Sequence, residues 1–265
     1  MITKTINYIR FALMAVAALT LSMGAASCSD DDDDDEFTTS VFVPEKIVVQ
    51  DSEGEPVFYT ISYNSDLKII AIDEWHDATS NYQHIMEYDS EGRISKITYT
   101  WDDNTEILSY TYSGDKVTVL FKEDGYESTK VYTVNTNVVS CVKTDEYGVE
   151  HTTYTYDAND RLAHRKIVTV DDTKDYEITY NNEVTGISKD INMSKVMAIS
   201  LSETEQLGID FLTVWDKGIA TWKDIKNNET INYTYTKLNS NGYPEVYKEV
   251  EEELTMTVTY KEIKK

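Results

Sequence analysis

Ile97-Thr98-Tyr99-Thr100-Trp101 alternates large apolar residues with threonine at a period of two. The same alternation returns in Leu108-Ser109-Tyr110-Thr111-Tyr112, Thr152-Thr153-Tyr154-Thr155-Tyr156, Tyr176-Glu177-Ile178-Thr179-Tyr180, Ile231-Asn232-Tyr233-Thr234-Tyr235 and Met256-Thr257-Val258-Thr259-Tyr260. Successive side chains of a strand point to opposite faces, so a period of two places every Tyr, Ile and Val on one face and every hydroxyl on the other. β-Branched and aromatic residues fit such a pleated, half-buried surface. An antiparallel sheet with one covered face follows.

The punctuation between these runs agrees. Asp51-Ser52-Glu53-Gly54, Asp89-Ser90-Glu91-Gly92, Asp145-Glu146-Tyr147-Gly148 and Asn239-Ser240-Asn241-Gly242 share one pattern, and Asp157-Ala158-Asn159-Asp160 is a variant of it with Asp replacing Gly. The first side chain caps a turn through its oxygen, and Gly at the fourth place can take a positive φ. These aspartates are therefore read as turn chemistry and not as ligands. A unit of aromatic or apolar residue, Asp/Asn/Ser, polar residues and an aliphatic begins at Tyr63, Tyr88, Tyr112, Val134, Tyr156 and Tyr180, at intervals of 25, 24, 22, 22 and 24 residues. One strand–turn–strand unit cannot bury its own face, so neighbours must stack. The expected fold is all-β: a large curved antiparallel meander or open barrel of more than ten strands. Alternation fades between residues 193 and 225, where a short helical or irregular insertion is expected to cover one end or face of the sheet. Ser202-Glu203-Thr204-Glu205 has capping-box form ahead of Leu207.

The front of the chain reads as processing. Lys4 and Arg10 precede an apolar run, Phe11 to Leu21, too short to span a bilayer by the usual requirement of about twenty residues. Ala25-Ala26-Ser27-Cys28 resembles the lipobox of bacterial lipoproteins, with Ala25 where Leu is usual. The resemblance implies acylation of Cys28 and cleavage after Ser27, with the acyl chains holding the protein at a membrane. Behind it, Asp30 to Asp35 and Glu36 form a run of like charge that repels into an extended, solvated tether. Cys28-Ser29-Asp30-Asp31-Asp32 resembles the export signal that routes lipoproteins of a phylum of gut Gram-negative bacteria to the outer face of the outer membrane. Asp30, Asp32 and Asp34 also match the first half of a Ca²⁺ loop, but Asp35 stands where that loop needs Gly and no closing Glu follows. The expected organisation is a signal peptide over 1–27, a lipidated, acidic tether over 28–40 and a single all-β domain over 41–265.

Tyr88-Asp89-Ser90-Glu91-Gly92-Arg93-Ile94 and Tyr156-Asp157-Ala158-Asn159-Asp160-Arg161-Leu162 resemble the YD repeat of bacterial shell-forming proteins. From about Val43 to Lys265, through the closing Tyr233-Thr234-Tyr235 and Asn239-Ser240-Asn241-Gly242-Tyr243-Pro244, the chain is similar to a family of gut bacterial lipoprotein domains of unknown function described as porin-like. That resemblance implies a large curved sheet and transfers no catalytic residue. A pore is not expected. Membrane strands need about nine to eleven residues with a lipid-facing apolar band, and these strands read as shorter. The chain also ends in Lys264-Lys265, and an anchor would be redundant.

A formal net charge of −24 repels phosphate backbones, so nucleic acid is not an expected partner. With Cys28 committed to lipid, Cys141 has no disulfide partner and reads as a small buried hydrophobe. No nucleophile elbow, zinc-protease, phosphate-loop or CxxC motif occurs, and carboxylates are too common to signal catalysis. His76, in Asp73-Glu74-Trp75-His76-Asp77, offers a metal ligand or general base but reads equally as a polar loop after a strand at Ile69–Ile72. No cofactor and no metal are expected, and nothing here fixes an oligomeric state. Trp75, Trp101 and Trp222 are candidate ligand-stacking residues, with core packing as the alternative for each. The expected function is a non-catalytic binding module, anchored in the outer membrane and facing the cell exterior, that takes extracellular glycan. The alternatives are a scaffold or adhesion protein that binds a protein partner through a sheet edge, and a hydrolase with a hidden acidic pair.

Overall fold

A computed structural model describes residues 39–50, 54–76, 81–123, 125–202, 216–251 and 253–264. Cys28, Ser29, Asp30, Asp31 and Asp32 belong to the unit Met1–Phe37 and lie outside the described residues, as do Asp51, Ser52 and Glu53. The second unit, Thr38–Lys265, carries the fold.

Its strands are β1 (Ser40–Gln50), β2 (Val57–Tyr63), β3 (Ile69–Trp75), β4 (Asn81–Tyr88), β5 (Ile94–Trp101), β6 (Asn104–Ser113), β7 (Lys116–Glu123), β8 (Tyr126–Val134), β9 (Val138–Asp145), β10 (Gly148–Tyr156), β11 (Leu162–Val168), β12 (Thr173–Thr185), β13 (Lys217–Asp224), β14 (Glu229–Leu238), β15 (Pro244–Glu249) and β16 (Leu254–Lys264). Each pairs antiparallel with its sequence neighbours, and β1 pairs with β16 from Ser40↔Lys264 to Gln50↔Thr255. The meander therefore closes into a barrel instead of remaining open. Closure satisfies the two terminal strands against each other and leaves no sheet edge. A partner strand has nowhere to add, so protein binding would have to use a wall or an end.

The alternation sorts the two faces. Ile47, Tyr59, Ile72, Ile97, Tyr99, Tyr132, Tyr154 and Met256 are buried inside. Their sequence neighbours on the outer wall include Thr98, Thr100, Thr111, Thr153, Thr234 and Thr257, with Lys96 and Lys122 paired to Glu87 and Glu127. A membrane-spanning barrel needs the reverse, an apolar band outside and polar groups within. The strands are longer than the sequence suggests, reaching ten residues in β6 and thirteen in β12. Length thus does not separate this barrel from a membrane one, but the direction of its apolar face does.

A barrel this wide holds more than its inward side chains can fill. The insertion after β12 supplies the remainder. Helix α1 (Lys195–Ser202) is buried at every residue from Val196 to Leu201, all apolar but Ser200, and a helix buried on every side belongs inside a core. Met197 Sδ lies 3.5 Å from the Tyr88 hydroxyl of β4, while Ala198 and Ile199 approach Tyr154 of β10 and Trp222 of β13. Within the insertion, α1 covers the inner face of the sheet and plugs the interior. The helix begins at Ser194, whose hydroxyl accepts from the Met197 amide at 3.2 Å, and ends at Ser202, where the capping-box pattern anticipated a start. Glu203, Thr204 and Glu205 lie outside the described residues.

Candidate functional site

The end of the barrel around α1 is built from one repeated device. Tyr63, Tyr88, Tyr112 and Tyr180 each lie on an even-numbered strand, and each hydroxyl donates to a backbone carbonyl of the preceding strand: Pro44, Ile69, Ile94 and Leu162, at 2.7–2.8 Å. Tyr235 and Tyr260 do the same to Ile219 and Pro244, at 2.7 and 3.0 Å. The repeating tyrosine is therefore a clip between hairpins. The residues that follow it form the turn. Asp89 Oδ1 accepts from the amides of Glu91 and Arg93 at 2.9 Å, and Gly92 takes φ +74°. The Arg93 side chain returns to Asp89 at 2.8 Å and lays its guanidinium 4.3 Å from the ring centre of the next clip, Tyr112. Asp157, Arg161 and Tyr180 repeat the arrangement, with Asp160 at φ +64°.

One unit lacks its clip. Val134 holds the same backbone place as Tyr156: the Val134 amide donates to Asp115 O and the Tyr156 amide to Asn137 O, both at 2.8 Å. The units on either side are the two short ones, each 22 residues long. A valine where a phenol stands elsewhere, between shortened turns, leaves a notch in the wall. A cavity of about 480 Å³ occupies it, walled by Tyr88, Tyr112, Val117, Val134 and Met197 and edged by Lys68, Arg93, Asp115, Ser194 and Lys195. Val134 and Lys195 also border a shallower hollow of about 610 Å³ over Asn135 and Asp157. A concave site of several hundred Å³ with mostly apolar walls and a few convergent polar groups is the ordinary form of a small-ligand pocket.

Its charges are balanced internally. Lys195 donates to Thr136 O at 2.7 Å, pairs with Asp160 and covers the Tyr156 ring at 4.1 Å. Lys68 donates to Gly92 O at 2.7 Å, and Arg93 is held by Asp89 and Glu91. Burial, reinforced by Asp89 and opposed by Arg93, pushes the Tyr112 phenol up to about 12, so it stays protonated and a donor at neutral pH. Every cation at the edge has a partner. The site thus suits a neutral, hydroxyl-bearing ring more than an anion.

The three candidate tryptophans are not brought together. Trp75 lies on the outer wall, 38% exposed, directly across from the exposed Phe58 of β2. Trp101 packs on the inner face near the far end of the barrel, opposite Tyr82. Trp222 packs inward on β13, tilted 5.9 Å from the Tyr176 ring. His76 does not sit in a free polar loop, because β3 runs on to Trp75; its Nε2 is 2.6 Å from Oε1 of Glu74, a carboxylate on the inner face. Cys141 is buried on β9. Sequence reasoning missed the notch itself, although its signal stood in the two 22-residue intervals and the single valine among tyrosines.

No family model matches the chain, and no curated protein matches it. Among solved structures, the chain is similar to a porin-like protein from Bacteroides vulgatus ATCC 8482 at 13% identity, over 83% of this chain and 99% of that one, with a TM-score of 0.44. It is also similar to a porin-like protein from Bacteroides uniformis ATCC 8492 at 14% identity, over 82% and 96% of the two chains, with a TM-score of 0.38.

Proposed function

We propose that this chain is a non-catalytic glycan-binding module, anchored to the outer membrane through acyl chains on Cys28 and displayed on the cell exterior by its acidic tether. The cavity at Val134 is the observation that carries the binding role. Sugars present hydroxyl edges and weakly apolar faces, and the notch offers Tyr88 and Tyr112 beside polar groups whose charges are already compensated. The hydroxyl-covered outer wall is compatible with a domain held in water by a tether. Trp75 and Phe58 offer a second, flatter aromatic surface, with Trp101 and Trp222 acting through the core behind the walls.

The test is a panel of neutral oligosaccharides titrated into the full chain by calorimetry, repeated on Val134→Tyr and Trp75→Ala. Binding that survives Trp75→Ala and is lost on filling the notch with Val134→Tyr supports the reading. Loss only in Trp75→Ala moves the site to the outer wall. Absence of binding by folded wild-type protein across the panel rejects the glycan class.

A further inference from the structure

The two ends of this barrel differ, and so do the two halves of one of them. Connections from even- to odd-numbered strands gather at the α1 end, where β1 also enters at Ser40; connections from odd- to even-numbered strands form the opposite rim. Four neighbouring members of that rim follow β9, β11, β13 and β15, and each contains one large apolar residue: Tyr147, Val170, Ile225 and Val250. All four are exposed, Tyr147 and Val170 at 84% and 86%, Ile225 and Val250 at 43% and 47%. The other four connections, residues 51–56, 76–80, 102–103 and 124–125, contain no large apolar residue.

Turns ordinarily take Gly, Asn, Asp and Ser, and an apolar side chain held in water on a turn tip gains nothing for the fold. The backbone ties these positions to the barrel. The Ile225 and Val250 amides donate to Asp175 O at 2.8 Å and Asn232 O at 2.9 Å, and the Tyr147 amide to Asp145 Oδ1 at 2.9 Å; any residue but proline could do the same. Val149 and Val168, also exposed, carry the apolar surface a step down the outer wall beneath Tyr147 and Val170.

The same connections hold Glu146, Asp171, Asp172, Glu251, Glu252 and Glu253 against one base, Lys226, which pairs with Asp172. The adjoining strand ends carry acids and lysines in near balance, so the excess belongs to the tips. An apolar residue among uncompensated carboxylates suits a partner that is apolar and cationic at once. Neighbouring tips stand two strands apart, roughly 10 Å, a distance that about three residues of extended chain cover. Closure leaves no sheet edge, so such a chain lies across the tips and not along a strand.

We infer that this half-rim docks an extended basic segment of another protein, with an apolar residue at every third position and lysine or arginine between. Each apolar side chain meets one of Tyr147, Val170, Ile225 and Val250, and the cations between them meet the carboxylates. The apolar tips carry the docking, and the charges choose the occupant. The surface lies at the opposite end from the notch and does not depend on glycan binding.

The experiment titrates the full chain into a dye-labelled twelve-residue peptide of repeating Leu-Lys-Lys, followed by fluorescence anisotropy at physiological salt. One comparator repeats Ser-Lys-Lys, with the same charge; the other groups all its leucines at one end, with the same composition and no spacing. The expected result is saturable binding, at least tenfold weaker for both comparators. Affinity should fall at least tenfold when Val170→Ser and Ile225→Ser are combined, fall severalfold in Asp171→Asn, and stay unchanged in Asp103→Asn on the other half of the rim. Val170 and Ile225 are exposed in the folded chain, so their replacement leaves folding intact. Four results overturn the proposal: no saturable binding, equal affinity for the serine peptide, equal affinity for the grouped peptide, or full affinity in the double variant. Equal affinity for the serine peptide would mark general attraction to an acidic protein.

Discussion

Gly218 of β13 tests whether the tyrosine clips seat against the backbone as described. It has no unusual φ, so its requirement is space: a Cβ there would stand 2.6 Å from the Tyr235 hydroxyl, 2.8 Å from that ring's Cζ and 2.8 Å from Val184 Cγ1. Tyr235 is the clip whose hydroxyl donates to Ile219 O, and its ring stacks on Tyr247 at 5.6 Å. Gly218→Ala must therefore push the phenol off its acceptor. The lost hydrogen bond is worth about 1 kcal/mol, the overpacking about 1–3 kcal/mol, and the reduced freedom of the unfolded chain returns about 0.4–1 kcal/mol. A net destabilisation of about 2–3 kcal/mol follows. Tyr235→Phe alone should cost about 1–1.5 kcal/mol. In the double variant the closest contact, that of the hydroxyl, is gone, so the combined loss should fall short of the sum by about 1 kcal/mol. Urea unfolding of the four proteins, followed by intrinsic fluorescence, measures all three. A loss below about 0.5 kcal/mol for Gly218→Ala, or additivity within about 0.3 kcal/mol, would refute the clip geometry.

Other expectations are as direct. Leu201→Ala, on the wholly buried face of α1, should cost about 2–5 kcal/mol if the plug belongs to the core; a calorimetric midpoint near wild type would instead mark the helix as dispensable. Glu253 is exposed at φ +54°, so Glu253→Gly should stabilise by up to about 1 kcal/mol, visible as a raised urea midpoint. Burial pushes the Asp157 carboxyl up, but hydrogen bonds from the Arg161 side chain and from the Arg161 and Asn159 amides outweigh it and hold the group below the usual carboxylate value. A folded value below the unfolded one gives stability that is complete above about pH 4 and lost as pH falls through the folded value. Wild type should therefore lose stability on acidification more steeply than Asp157→Asn, as thermal midpoints between pH 6 and 2 would show.

Much of this barrel was legible because its code is local. Alternation in Thr152–Tyr156 dictates which face Tyr154 enters, and Asp89 and Asp157 announce their turns through side-chain geometry alone. Closure was not legible, because it depends on Ser40 meeting Lys264 across the whole chain, a non-local pairing with no signature at either end. The plug was half legible. Loss of alternation located the insertion, but Val196 to Leu201 are apolar apart from Ser200, and such a run does not say whether it lies on a sheet or within it. Glu74, in the segment read as a polar loop around His76, belongs instead to β3, which continues to Trp75 and puts Glu74 in step with Ile72 on the inner face.

The notch shows why a repeat protein can carry a site that no motif reports. Each clip earns its place by joining two hairpins, so the tyrosines are read as structure wherever they occur. A departure from the repeat carries no such obligation. At Val134 the wall gives up one hydroxyl-to-carbonyl bond, and a cavity lined by Tyr112 and Val117 opens beside it. The loss is tolerated because α1 supports the same wall from within, Met197 against Tyr88 and Lys195 over Tyr156. The proposed binding capacity is thus written as an omission, and Val134→Tyr, which restores the repeat, should strengthen the barrel while closing the cavity. If that substitution instead destabilised the fold, the shortened turns would have to be structural adaptations in their own right, and the cavity a by-product of them.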